Sequence, residues 1–212
     1  MRNIKRNNKK SLIYLGSLLI LSTMSVSFMK LYFEYKTNKE RINSIEEYYV
    51  TDIEVNDIEE NPKPLENTNI KKEETTIINK PKINYIGILR IPKISLKQGL
   101  VDRKSSLNNI KYNIMIHKNS SSPYDNNGNV ILVAHSGTAY VSFFRNLNKL
   151  NLNDYIYLDY DNKTFEYKVS KIYEVEKTGQ VNIYRNLNKN SITLITCKHG
   201  TNKQIVVIGE IV

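Results

Sequence analysis

Hydrophobic and polar positions fall into three regimes along the chain. From Ser11 to Met29 run nineteen consecutive residues without a charge. At ~1.5 Å per residue, a helix of that length nearly crosses a bilayer's hydrocarbon core. Residues 30–48 mix charged and apolar positions and read as a helix continuing away from that stretch. From Tyr49 to Lys80 the chain is acidic and lacks periodicity, and with Pro62 and Pro64 it reads as a flexible spacer.

From Ile83 onward the pattern becomes that of short strands. Ile83 to Ile91 is strand-like and ends at Pro92, and Val130 to Ala134 is a continuous apolar run suited to a buried central strand. Val141, Phe144, Leu147 and Leu150 recur every third residue and predict a short helix. Tyr155 to Tyr160 and Thr164 to Tyr173 flank Asp161-Asn162-Lys163, a predicted hairpin turn. Ile192 to Thr196 and Ile205 to Val212 are two further strands, joined by a loop containing Gly200. Many short strands with little helix predict a mostly β domain, a small closed barrel or sandwich.

Composition supports that reading. Alanine occurs only at Ala134 and Ala139, while Tyr, Ile, Lys and Asn are abundant, a bias that disfavours helix-rich designs. The formal net charge of +10 is unevenly spread. Residues 1–45 carry nine Lys/Arg against two acids, residues 46–80 four against ten, and residues 81–212 eighteen against nine. No nucleic-acid-binding motif accompanies the basic part, so nucleic acid is not an expected partner. Arg2, Lys5, Arg6, Lys9 and Lys10 precede the apolar stretch, which by the positive-inside rule keeps the N-terminus cytoplasmic and exports the rest. A cleaved signal peptide is the alternative. The stretch is long for one and lacks an Ala-x-Ala site, so a retained anchor is favoured. The expected organisation is a cytoplasmic basic tail (1–10), a transmembrane anchor (11–33), an extracellular helical or flexible acidic linker (34–82) and a catalytic domain (83–212).

The chain has one cysteine, Cys197, which excludes an internal disulfide and a CxxC redox pair. It sits where Ile192–Thr196 gives way to a loop, at a strand end where a side chain reaches the rim of a sheet. Buried packing is the alternative for a lone thiol. An imidazole partner would make it a nucleophile. Of the three histidines, His135 directly follows the apolar run 130–134 and so also lies at a strand end. His117 and His199 are weaker candidates. A metal site at Cys197 and His199 lacks further ligands, and neither metal nor organic cofactor is expected.

Thr193-Leu194-Ile195-Thr196-Cys197 resembles the TLxTC signature of sortases, the extracellular cysteine transpeptidases of Gram-positive bacteria. Val133-Ala134-His135-Ser136-Gly137 resembles their histidine segment, preceded by Gly128-Asn129. The separation of 197 − 135 = 62 residues fits that family. Phe143 to Leu150, followed by Asn153-Asp154-Tyr155-Ile156, resembles the short helix and turn that come next, and Ile91-Pro92-Lys93-Ile94 the start of the barrel. The resemblance implies a closed sortase-like β-barrel with Cys197 as nucleophile and His135 as acid and base. It further implies an exported substrate with a C-terminal LPXTG-like sorting signal. The acceptor would be an amine of a cell-wall precursor or a pilin.

One departure stands out. Sortases carry a catalytic arginine on the strand after the cysteine loop, and here Gln204 occupies that position, with Lys203 before it; no arginine follows Arg185. Gln204 would offer a neutral hydrogen bond in place of a charge-assisted one, while Lys203 should face the other way along the strand. Two rival expectations follow: a catalytically weak or inactive barrel that binds sorting signals, and a hydrolytic cysteine peptidase in which water resolves the thioester.

Overall fold

A computed structural model describes residues 2–56 and 83–212, with side chains over 14–49 and 83–212. A single long helix, α1 (Arg2–Asn56), is followed by eight strands. These are β1 (Tyr85–Ile91), β2 (Leu96–Val101), β3 (Met115–Ile116), β4 (Asn129–Val133), β5 (Tyr155–Tyr160), β6 (Lys163–Glu176), β7 (Ser191–Cys197) and β8 (Lys203–Ile211). The chain divides into two compact units, Met1–Asn43 and Ser44–Val212.

In the first unit, the helix is long and apolar enough to cross a membrane. Its apolar side chains point outward, with Leu18 66% and Phe28 74% exposed, so burying them requires a partner such as lipid. Helical structure runs through Asn56, beyond the expected start of the spacer at Tyr49. The remainder of that expected spacer, 57–80, lies outside the described residues.

In the second unit, one mostly antiparallel sheet, ordered β2-β1-β5-β6-β8-β7-β4-β3, curls into a nearly closed barrel. Its outermost strands are bridged by a side chain: Gln98 of β2 donates to Asn113, just before β3, at 2.8 Å. Neither β2 nor β3 was expected from the hydrophobic pattern. β2 carries Lys97, Gln98 and Gly99 mid-strand and β3 has two residues, so neither has an apolar periodicity to read. Where pattern was present it was informative. Asp161 and Asn162 both take positive φ (50° and 55°) between paired Tyr160 and Lys163, a two-residue hairpin turn.

The short helix expected over 141–150 is instead a series of tight turns ending in a 3₁₀ turn at Leu147–Lys149. Arg145, Leu147, Lys149 and Leu150 each donate to the carbonyl three residues back. The apolar spacing of three is that of a 3₁₀ helix, whose residues i and i+3 eclipse, and Phe144, Leu147 and Leu150 are all buried.

Alternation along the strands creates one interior and two outer apolar clusters. Leu89, Leu132, Ile156, Tyr167, Leu194 and Val207 belong to the barrel interior. On one outer face Ile131, Ile195, Val206 and Ile208 pack with Val181 and Ile183 from the β6–β7 connection. On the other, Ile45, Tyr48 and Tyr49 of the helix end pack on Tyr85, Ile88 and Val101.

That second face is pinned by a polar hub at Asp159, which is buried. Arg90 Nε and Nη2 donate to its two oxygens at 2.7 and 2.8 Å, Tyr49 Oη at 2.5 Å and Thr164 Oγ1 at 2.8 Å. Burial by itself would raise the Asp159 carboxyl, but the hydrogen bonds from Arg90, Tyr49 and Thr164 outweigh it and hold the pKa below the usual carboxylate range.

Candidate active site

β4 and β7 lie side by side and parallel, paired from Asn129↔Ser191 to Val133↔Ile195. The offset along this ladder is constant, 191 − 129 = 62. The two strands stay tied beyond its end. Ala134 N donates to Ile195 O at 3.3 Å, and Thr196 Oγ1 to Ala134 O at 2.7 Å. Ser136 Oγ donates to the Cys197 carbonyl. Continuing the same offset sets His135 level with Cys197. The 62-residue spacing between the two is therefore the register of two parallel neighbours.

β8 lies antiparallel on the other side of β7, with Gln204 directly opposite Cys197. Lys198 N donates to Lys203 O at 2.8 Å, which makes the next pair, Cys197 and Gln204, a closely spaced one without ladder bonds. β6 continues the row with Val175 opposite Gln204. The order across the sheet is Val175, Gln204, Cys197, His135.

Alternation decides which face these side chains use. Ala134, Leu194 and Ile205 face the barrel interior, whereas Val133, Ile195 and Val206 face outward. His135, Cys197 and Gln204 are each two residues from an outward-facing member, so all three belong to the outer face. Cys197 and Gln204 are half-buried and His135 is exposed, so the row is open to a substrate. The apolar floor of Ile131, Ile195, Val206 and Ile208 adjoins it. The β6–β7 connection is held over that floor by Tyr173, whose hydroxyl donates to Asn182 O at 2.7 Å and accepts from Tyr184 N at 3.0 Å.

The lysines fall on the opposite face. Lys198 Nζ bonds Glu174 at 2.6 Å, and Lys203 Nζ lies 4.0 Å from Glu174 and 3.9 Å from Glu176. The hydrogen bond from Lys198 lowers the Glu174 carboxyl pKa. His117 is placed elsewhere: its backbone N–H donates to Ile131 O at 2.9 Å, four residues before His135 in the chain. His199 is exposed in the β7–β8 loop. Among the described residues no group of three or more His, Cys, Asp or Glu gathers to hold a metal ion. The bonding roles of Ser136 and Thr196, which flank this row and appear above only as motif residues, escaped the sequence reading, because hydroxyl-to-carbonyl bonds between distant segments leave no spacing signal.

A sortase-domain family model matches residues 89–212. The comparison with curated protein sequences gave no match. Among solved structures, a lid mutant of sortase A from Corynebacterium diphtheriae is similar at 23% identity and a TM-score of 0.54, covering 61% of this chain and 70% of that one. The sortase D5 transpeptidase of Clostridium perfringens is 24% identical at a TM-score of 0.52, covering 61% and 79%. Sortase C1 from Streptococcus agalactiae is 28% identical at a TM-score of 0.52, covering 62% and 69%. With the family model spanning more than half of the chain, from within β1 to the last residue, the chain belongs to the sortase family.

Proposed function

We propose that this protein is a membrane-anchored cysteine transpeptidase with Cys197 as nucleophile, His135 as general acid and base, and Gln204 as oxyanion donor. The observation that supports the proposal is the register, in which Gln204 of β8 lies opposite Cys197 of β7 and the β4–β7 offset, carried past Val133, brings His135 level with Cys197. The Cys197 thiolate attacks the Thr–Gly carbonyl of an LPXTG-like sorting signal on an exported protein. The carbonyl electrons move to oxygen, where the Gln204 amide donates a hydrogen bond. As the carbonyl re-forms, the C–N bond breaks and His135 protonates the leaving amine. An acceptor amine then attacks the thioester, His135 takes its proton, and Cys197 leaves as thiolate. A cell-wall precursor or a pilin supplies that amine. The apolar helix anchors the enzyme, with the basic end cytoplasmic and the barrel outside.

Incubating the protein with a library of LPXTG-like peptides, with and without amines, tests this reading by mass spectrometry. The expected result is a thioacyl adduct on Cys197 that an added amine resolves into a transpeptidation product. Non-covalent binding of the peptide without adduct would instead favour a barrel that only binds sorting signals, a reading motivated by Gln204 at the arginine's position. Resolution by water alone would make the protein a peptidase.

A further inference from the structure

His135 lies past the end of β4, at the start of a turn that no ladder holds, yet its reach to Cys197 requires a fixed place. Two side chains supply that constraint. Ser136 Oγ donates to the Cys197 carbonyl, tying the residue next to His135 to the cysteine itself. Arg145 closes the turn from its far end. Its Nε donates to Gly137 O at 3.2 Å, and its Nη2 to Thr138 O at 2.8 Å and Ala139 O at 2.7 Å. Between these points Phe144, with no exposed surface, is sunk in the core, and its N–H donates to His135 O at 3.0 Å.

The guanidinium is suited to gathering several carbonyls because its donors are fixed in one plane. The Arg145 side chain and residues 138–140 are exposed, so water could satisfy these carbonyls equally well. Ordering a long side chain there therefore needs a reason beyond pairing buried groups. We propose that Arg145 and Ser136 are positioning residues that hold His135 in register with Cys197. The role rests on the proposed pairing of those two residues. Neither side chain needs to touch the substrate. Arg103 provides a matched comparison, since its Nη1 clamps Lys118 O at 3.2 Å and Ser120 O at 2.9 Å in a different loop.

Cys197 is the chain's one thiol, so its alkylation by iodoacetamide reads the pair without any substrate. The experiment follows alkylation against pH by mass spectrometry, using the full chain in detergent micelles. Lys198, Lys203, Glu174 and Glu176, on the opposite face, and His199, in the adjoining loop, are common to every variant. His135→Ala should change the rate near neutral pH by about threefold or more, because a neighbouring imidazole alters thiol reactivity. Arg145→Ala and Ser136→Ala should move the profile toward that of His135→Ala. Ser136→Thr, which keeps the hydroxyl, should stay near the parent, Arg145→Lys should fall between, and Arg103→Ala should overlay the parent. If His135→Ala changes the profile while Arg145→Ala and Ser136→Ala leave it intact, the positioning role is wrong and the pair stands. An equal shift from Arg103→Ala also overturns it, because any loosened loop would then suffice. If His135→Ala leaves the profile unchanged, the pairing of His135 with Cys197 fails, and the positioning role falls with it.

Discussion

In the proposed mechanism Gln204 stands where the family resemblance leads one to expect an arginine. A neutral amide opposite Cys197 donates a weaker hydrogen bond than a guanidinium, so transition-state stabilisation at this position should be real but reduced. Gln204→Ala should lower kcat/KM by about tenfold or more, equivalent to ~1.4 kcal/mol. Gln204→Arg should retain or raise activity, and Lys203→Ala, on the other face and engaged by Glu174 and Glu176, should have little effect. Steady-state kinetics on one peptide checks all three, and damage from Lys203→Ala alone would refute the assignment of Gln204. Among the histidines, His135→Ala should cost about 10²–10⁴-fold in turnover and His117→Ala far less, in keeping with the usual worth of general acid–base catalysis. Asp159 gives the fold a separate dependence on pH. Its folded pKa is lowered, so its stabilising contribution is fully present above the unfolded value of about 4 and is lost as pH falls through the folded value. Urea denaturation of Asp159→Asn beside the parent should show stability falling below about pH 4 in the parent, with the gap between the two proteins narrowing there.

At the scale of elements, the end of α1 is part of the barrel's fold. Ile45 is buried, and Tyr49 bonds Asp159, so removing this segment uncovers Tyr85, Ile88 and Val101 and takes one donor from a buried carboxylate. Burying a large apolar side chain is worth about 1.5–3 kcal/mol, and a hydrogen bond to a charged group about as much. A fragment of residues 44–212 should therefore melt on the order of 5–10 °C above one of residues 83–212 by calorimetry. Equal melting temperatures would show that the helix end adds nothing to the barrel. The strand ends carry the opposite kind of information. Past Val133 the ties between the two chain segments are polar, three hydrogen bonds joining Ala134 and Ser136 to Ile195, Thr196 and Cys197.

For the molecule as a whole, the expectation is a barrel outside the cell on a helix that enters the membrane from the cytoplasm. Protease added to intact cells should remove residues 83–212, and full protection in sealed cells would overturn that topology. The apolar stretch and its basic flank are linear properties, legible from local composition alone. The strands that stood out, β4, β7 and the β5–β6 hairpin, each carry their own apolar run or turn residues. Cys197 and His135 could be picked out because each directly follows such a run. β2 and β3 could not, because β2 carries Lys97, Gln98 and Gly99 mid-strand and β3 has two residues, so no apolar run marks the seam that Gln98 and Asn113 bridge. Nor could the roles of Ser136 and Arg145, whose partners are backbone carbonyls that every residue carries. Alternation within one strand assigns a side chain to a face but says nothing of which strand lies beside it. The sequence by itself determined the candidate residues and their separation. Only the tertiary structure made β4 and β7 parallel neighbours at an offset of 62, and so turned that separation into a shared row. The physical reason is that strand adjacency is set by burying the whole sheet's inner face at once, a condition that no local stretch of sequence contains.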